Sequence, residues 1–229
     1  MYTKKQKEEK VYMKTEERIQ FLRDIVALRT VNQDEIKVAH YFQNFFKQHG
    51  IESQLITVAD GRTDLLAEIG TGQKPVLAFS GHADTVHEGD VATWSVDPFQ
   101  VTERGGRLYG RGTSDMKGSL AAFAIAMVEI KEAGETFPGT LRFILSVDEE
   151  MTEAGARLLT EQGYIDDVDA MIIGEPTAVP VDGLEAYFHS EGAVIADDTL
   201  VELEEAVTHN SAPEQHFIVF AHKGFMGYE

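Results

Sequence analysis

Three apolar runs constrain the fold of this chain more than any other feature: "PVLAFSG" at 75–81, "GTLRFILSV" at 139–147 and "DAMII" at 169–173. None alternates with polar residues, the pattern of strands buried on both faces. Between and before them the apolar period changes to that of helices. Met116, Leu120, Phe123, Ala124, Met127, Val128 and Ile130 mark a helix over Met116–Glu132, and Glu153–Gln162 is read as helical too. Thr15–Leu28 carries Ile19, Leu22, Ile25 and Val26. Asp34–His49 carries Val38, Tyr41, Phe42, Phe45 and Phe46 and stops at Gly50. "IESQLITV" and "TDLLAEIG" predict two strands about the turn "ADGR", and Gly105–Gly106 predicts a hairpin. Strands alternating with helices predict an α/β fold with a doubly wound, largely parallel sheet flanked by helices.

In such sheets ligands bind outside the carboxyl ends of the strands. His82 and Asp84 follow the first run. Asp115 opens the long helix after "GRGTS". Asp148, Glu149 and Glu150 follow the second run, and Glu175 follows the third. Four elements thus bring carboxylate or imidazole to one edge. Packed without compensation they would repel and pay for desolvation; one or two divalent cations remove the conflict. Singly, each has an ordinary role. Asp115 is suited to cap a helix, Glu149 and Glu150 to a solvated turn, His82 to a hydrogen-bonded core position, and Glu175 to a surface loop. Their coincidence at four strand ends favours the metal.

Other chemistry has less support. The absence of cysteine excludes disulfides, thiol nucleophiles and thiolate metal sites, and fits a reducing cytoplasm. A net charge of −19 argues against nucleic acid. No apolar run approaches the ~20 residues of a membrane helix, and the charged N-terminus lacks the apolar core of a secretory signal. "GRGTSDMKGS" is neither a phosphate loop nor a dinucleotide fingerprint, and no G-x-S-x-G elbow occurs.

"SGHADTV", "WSVDPF", "GRLYGRGTSDMKGSLAAF", "SVDEE" and "IGEPT" follow one another in the order and spacing of the dinuclear-zinc M20 metallopeptidases. Over roughly Glu16–Thr177 the chain resembles the branch of succinyl-diaminopimelate desuccinylases and acetylornithine deacetylases, and "VFAHKG" extends the likeness. The resemblance implies a zinc-dependent exopeptidase-like fold and a metal-dependent amidohydrolase. Its small-molecule substrate would be an N-acyl amino acid, N-succinyl-LL-diaminopimelate first, with N-acetylornithine or another M20 aminoacylase or dipeptidase substrate as the alternative. By the same resemblance His82 binds the first metal, Asp84 fixes its imidazole, and Asp115 bridges two metals. Glu149 is the general base, Glu150 binds the second metal and Glu175 completes the first site. The implied cofactors are two divalent ions, Zn²⁺ or, with the same donors, Co²⁺ or Mn²⁺. A cis peptide at Asp115–Met116, a homodimer for the full-length family and a cytoplasmic location are implied as well.

The expected organisation is a leader at 1–14, the N-terminal part of a catalytic domain at 15–177, an acidic insertion at 178–216 and the start of a lid or dimerisation domain at 217–229. The insertion has nine acidic residues and no lysine or arginine. In the family a histidine near the C-terminus completes the second metal site, and the lid supplies substrate contacts. Neither falls within these 229 residues. The chain is therefore expected to be truncated, to hold one ion tightly and to turn over little; a catalytically inactive metal-binding fragment is the alternative. His189, His209 and His216 are read as surface residues, and His222 as structural.

Overall fold

The computed structural model describes residues 13–134 and 136–176 and the backbone of His216–Phe217. Residues 1–12 of the expected leader, residues 178–215 of the acidic segment, the segment after Phe217 and the side chains of His189, His209, His216 and His222 lie outside the described residues.

Helices α1 (Thr15–Ala27) and α2 (Ile36–Gln48) precede the strands β1 (Ser53–Ala59), β2 (Arg62–Gly70) and β3 (Val76–His82). A hairpin of β4 (Thr102–Arg104) and β5 (Arg107–Tyr109) leads to α3 (Lys117–Glu132), β6 (Thr140–Ser146), α4 (Ala154–Glu161), β7 (Ala170–Ile173) and β8 (His216–Phe217). Six strands form one sheet in the order β1-β2-β6-β3-β7-β8. β3 runs parallel to β6 and β7, and β7 parallel to β8. β2 pairs antiparallel with both β1 and β6, so it alone among the described strands of this sheet opposes the rest. The expected largely parallel sheet is found, with one reversed strand that the sequence pattern did not reveal.

Side-chain alternation divides the core into two layers. On one face Leu65, Ala67, Phe143 and Leu145 pack beneath α1, α2 and α3. On the other, Ile56, Leu66, Ala78 and Ile144 meet Leu159 of α4. Neighbouring residues of β6 therefore serve opposite layers, as the two-residue strand period requires, and the continuous apolar run follows from burial on both faces. Phe143 is fully buried and lies 5.2 Å from the ring centres of both Phe42 and Phe46. These contacts seat α2 on the sheet centre. α2 starts at Ile36, later than its apolar period suggests, because Asp34 takes a left-handed conformation with φ 61°. No described helix is long and apolar enough to cross a membrane.

The layering places one edge of the sheet at the ends of β3, β6 and β7. The reversed β2 brings its first residues, Arg62–Asp64, to that same edge.

Candidate metal centre

His82 is the last residue of β3 and is 1 % exposed. Its position is fixed from the strand upward: β3 lies between β6 and β7, and His82 stands opposite Ser146. The imidazole Nδ1 lies 2.9 Å from the main-chain carbonyl of Asp84. A carbonyl can only accept, so Nδ1 carries the proton and Nε2 faces the cluster. There it meets Asp115 Oδ1 at 3.1 Å, Glu175 Oε1 at 3.4 Å and Glu149 Oε2 at 3.7 Å. One ligand atom from each of His82, Asp115 and Glu175 falls within 4.8 Å of the others, and so does a second set from His82, Glu149 and Glu150. The residues collected from the ends of β3, β6 and β7 and from the head of α3 thus converge.

Several ordinary roles are not the ones adopted. The N-cap of α3 is Met116, with no side-chain cap, so Asp115 is free of that task. Its peptide to Met116 is cis, as the resemblance implies. Glu150 is not a solvated turn residue alone, because Oε1 accepts the Val86 N–H at 3.2 Å. Asp84 differs from expectation in detail. Its carboxylate stands 3.5 Å from Nδ1, further than its own carbonyl. The carboxylate instead accepts the main-chain N–H groups of Glu149 at 3.2 Å and Glu150 at 3.0 Å. It therefore orients the glutamates as well as standing beside the imidazole.

Burial lowers the His82 pKa, but hydrogen bonds with Asp115 and Asp84 and the charge of Glu175 outweigh it and carry the group to about 11. Burial and the neighbouring carboxylates raise Glu150 and Glu175 to about 7, despite the His82 charge. Burial also raises Glu149. The cluster thus retains protons that ordinary residues of these types would release, which is what a cation site does without its cation. The sign of the pH dependence follows. The His82 contribution is fully present below its unfolded value near 6.5 and is lost as pH rises through 11. The contribution of protonated Glu175 is present below 4.5 and is lost as pH rises through about 7. Thermal melts of the metal-free chain should therefore show these groups lowering Tm as pH rises above about 5. Excess Zn²⁺ should reverse that slope. A metal-free Tm that climbs from pH 5 to 9, with no response to Zn²⁺, would contradict the cluster's electrostatics.

A family model described as peptidase family M20/M25/M40 matches residues 78–228, a span that contains all six candidate residues. The chain belongs to this family. The M20 chain is 44 % identical over 178 residues to a protein of Staphylococcus aureus (strain Mu50) called "Probable succinyl-diaminopimelate desuccinylase", covering 78 % of this chain and 43 % of that one. A protein of the same description from Staphylococcus epidermidis (strain RP62A) is 41 % identical over 198 residues, covering 86 % and 47 %. The chain thus spans less than half the length of these relatives. The crystal structure of an M20 family metallo-carboxypeptidase from Sulfolobus solfataricus superposes with a TM-score of 0.64 at 21 % identity, covering 73 % of this chain and 39 % of that one. At that identity the likeness concerns the fold.

This M20 chain also places buried or half-buried charged residues behind the site, away from the carboxyl ends of the strands. Arg62 contacts Asp148, Asn32 and Glu35. Asp64 is fully buried and accepts the Val147 N–H at 3.0 Å. Lys117 is 1 % exposed and donates to the Ile25 carbonyl at 2.8 Å. The sequence pattern puts Arg62 in the "ADGR" turn. A signal was available: Arg62 and Asp64, two residues apart at the head of a strand, share one face.

Proposed function

We propose that this chain supplies the metal-binding face of a hydrolase that cleaves the amide bond of an N-acyl amino acid, with N-succinyl-LL-diaminopimelate as the substrate. One observation carries the reading: a buried imidazole, fixed at Nδ1 by a carbonyl, turns Nε2 toward carboxylates from three other elements. Imidazole with carboxylate oxygens suits Zn²⁺, and Co²⁺ or Mn²⁺ fit the same donors. His82, Asp115 and Glu175 would hold one ion; Glu150, with Asp115 shared, would hold a second more weakly, because His82 is the only histidine among the described residues of the cluster. A divalent ion bound here supplies Lewis acidity and a water of lowered pKa.

The remaining work falls to this chain's residues. Glu149, set back at 3.7 Å from Nε2 and 41 % exposed at its side chain, accepts a proton from the attacking water. It returns that proton to the amine as the C–N bond breaks, so that water is divided between a free acid and a free amine. Asp84 keeps Glu149 and Glu150 in place through their N–H groups. The substrate assignment is supported by the names of the Staphylococcus relatives.

The test is metal-dependent amine release in a protein of the relatives' length that carries this chain. Release should be faster from N-succinyl-LL-diaminopimelate than from N-acetylornithine. The reverse order would overturn the substrate, and no release from either with metal bound would leave an inactive metal-binding chain.

A further inference from the structure

The stretch Val147–Glu150, which joins β6 to the site, is held at four consecutive residues. Val147 donates its N–H to Asp64 Oδ1 at 3.0 Å. Asp148 receives the Arg62 guanidinium on its carboxylate. Glu149 and Glu150 donate their N–H groups to the two oxygens of Asp84 at 3.2 and 3.0 Å. Asp64 and Asp84 are fully buried, and Asp148 is 6 % exposed. Two of these partners, Arg62 and Asp64, come from the head of β2, and they can reach the loop only because β2 runs against β6.

Arg62 does more than pair with Asp148. The same guanidinium donates to the Asn32 carbonyl and lies 3.4 Å from Glu35 Oε1, whose carboxylate is fully buried and has no hydrogen-bond partner. It thereby ties the loop before α2 to the loop after β6. Asp148 sits in a left-handed conformation with φ 63°, and its other oxygen takes the Thr152 hydroxyl. Asp64 is confined in turn. A Cβ placed on Gly155 would meet Asp64 Oδ1 and would lie 2.7 Å from both the N and the O of Val147. Glycine therefore lets the start of α4 close over this hydrogen bond.

We propose that Arg62 and Asp64 are positioning residues for the Glu149–Glu150 pair, setting the loop so that Glu150 reaches a metal ion and Glu149 stands back from it. The proposal rests on the metal-centre reading above. Neither residue touches the cluster around Nε2; they act through Val147 and Asp148. A charge at position 62 is not sufficient. Lysine has one compact ammonium and cannot span Asp148, Asn32 and Glu35 as a planar guanidinium does. At position 64 an acceptor is required and a charge is not, so asparagine should replace aspartate.

The 229-residue chain, Arg62→Lys, Asp64→Ala and Asp64→Asn are titrated with Co²⁺ by calorimetry, with thermal melts run alongside. The unsubstituted chain should bind one ion tightly and a second more weakly. Arg62→Lys and Asp64→Ala should weaken the second phase by about 10–100-fold, the usual cost of losing an outer partner of a ligand. Both should leave the tight phase close to that of the unsubstituted chain, since the polar contacts of Arg62 and Asp64 are with Asn32, Glu35, Asp148 and Val147 and not with His82, Asp115 or Glu175. Asp64→Asn should restore the second phase. A purely structural role would weaken both phases together or lower Tm with neither phase changed, and either result overturns the proposal. If Arg62→Lys does not fold, the Asp64→Ala and Asp64→Asn pair decides alone. A chain that binds Co²⁺ in one phase only removes Glu150 as a ligand and the positioning role with it. A chain that binds none brings down the metal centre itself.

Discussion

Replacing Glu149 with alanine lowers turnover about 10²–10⁴-fold, the usual worth of a positioned general base, and leaves metal content near that of the parent. The geometry separates Glu149 from its neighbour. Glu149 Oε2 is 3.7 Å from His82 Nε2, further than Asp115 at 3.1 Å or Glu175 at 3.4 Å. Burial raises its pKa, bringing it closer to the range in which a carboxylate can both take and return a proton. Glu150 is tied by its side chain to the Val86 N–H and by its own N–H to Asp84. Glu150→Ala should accordingly lose metal. The measurement pairs atomic-absorption metal content with single-turnover rates in the active, relatives-length protein. Equal metal loss in both variants, or in neither, would show that the two roles are assigned wrongly.

The second large effect is expected at His82. His82→Ala should weaken Zn²⁺ binding by more than the roughly 10–100-fold that loss of an outer-shell partner costs, because it removes the imidazole that would hold the first ion, the only one in the cluster among the described residues. It also leaves Asp115, Glu149 and Glu175 without the cationic partner that faces them in the metal-free chain. The variant should consequently hold Glu149 and Glu175 protonated to higher pH than the parent does. Calorimetric Zn²⁺ titration with proton-release measurement in two buffers reads both effects. Zn²⁺ uptake by the parent should expel protons, since His82 must be neutral to act as a ligand. Parent-like affinity in His82→Ala would place the metal elsewhere.

The parts of the fold that could be read from the sequence were those where one physical requirement dominates. "PVLAFSG" and "GTLRFILSV" are apolar throughout because β3 and β6 face a core on both sides. The long helix was visible because its apolar residues recur at helical spacing. The six site residues could be collected because they stand at the carboxyl ends of parallel strands or at the head of α3, where chain order alone puts them. Strand direction was not visible. Nothing local to "RTDLLAEIG" says that it pairs antiparallel with β6, a partner more than seventy residues away. Without that direction Arg62 closes a turn and Asp64 only opens a strand; with it both stand beside the site. Lys117 lies in the glycine-rich stretch "GRGTSDMKGS", and its burial beneath the α1 carbonyl of Ile25 depends on tertiary packing. The dual use of Asp84, carbonyl to the imidazole and carboxylate to the glutamate N–H groups, likewise requires coordinates, because both atoms belong to one residue.

The most direct test of the metal centre is to locate the ion. Crystals of the chain grown with Zn²⁺ should give an anomalous peak at the zinc edge about 2.0–2.2 Å from His82 Nε2 and from carboxylate oxygens of Asp115 and Glu175. A chain that crystallises with Zn²⁺ only on exposed histidines such as His87, and none at His82, would contradict the account.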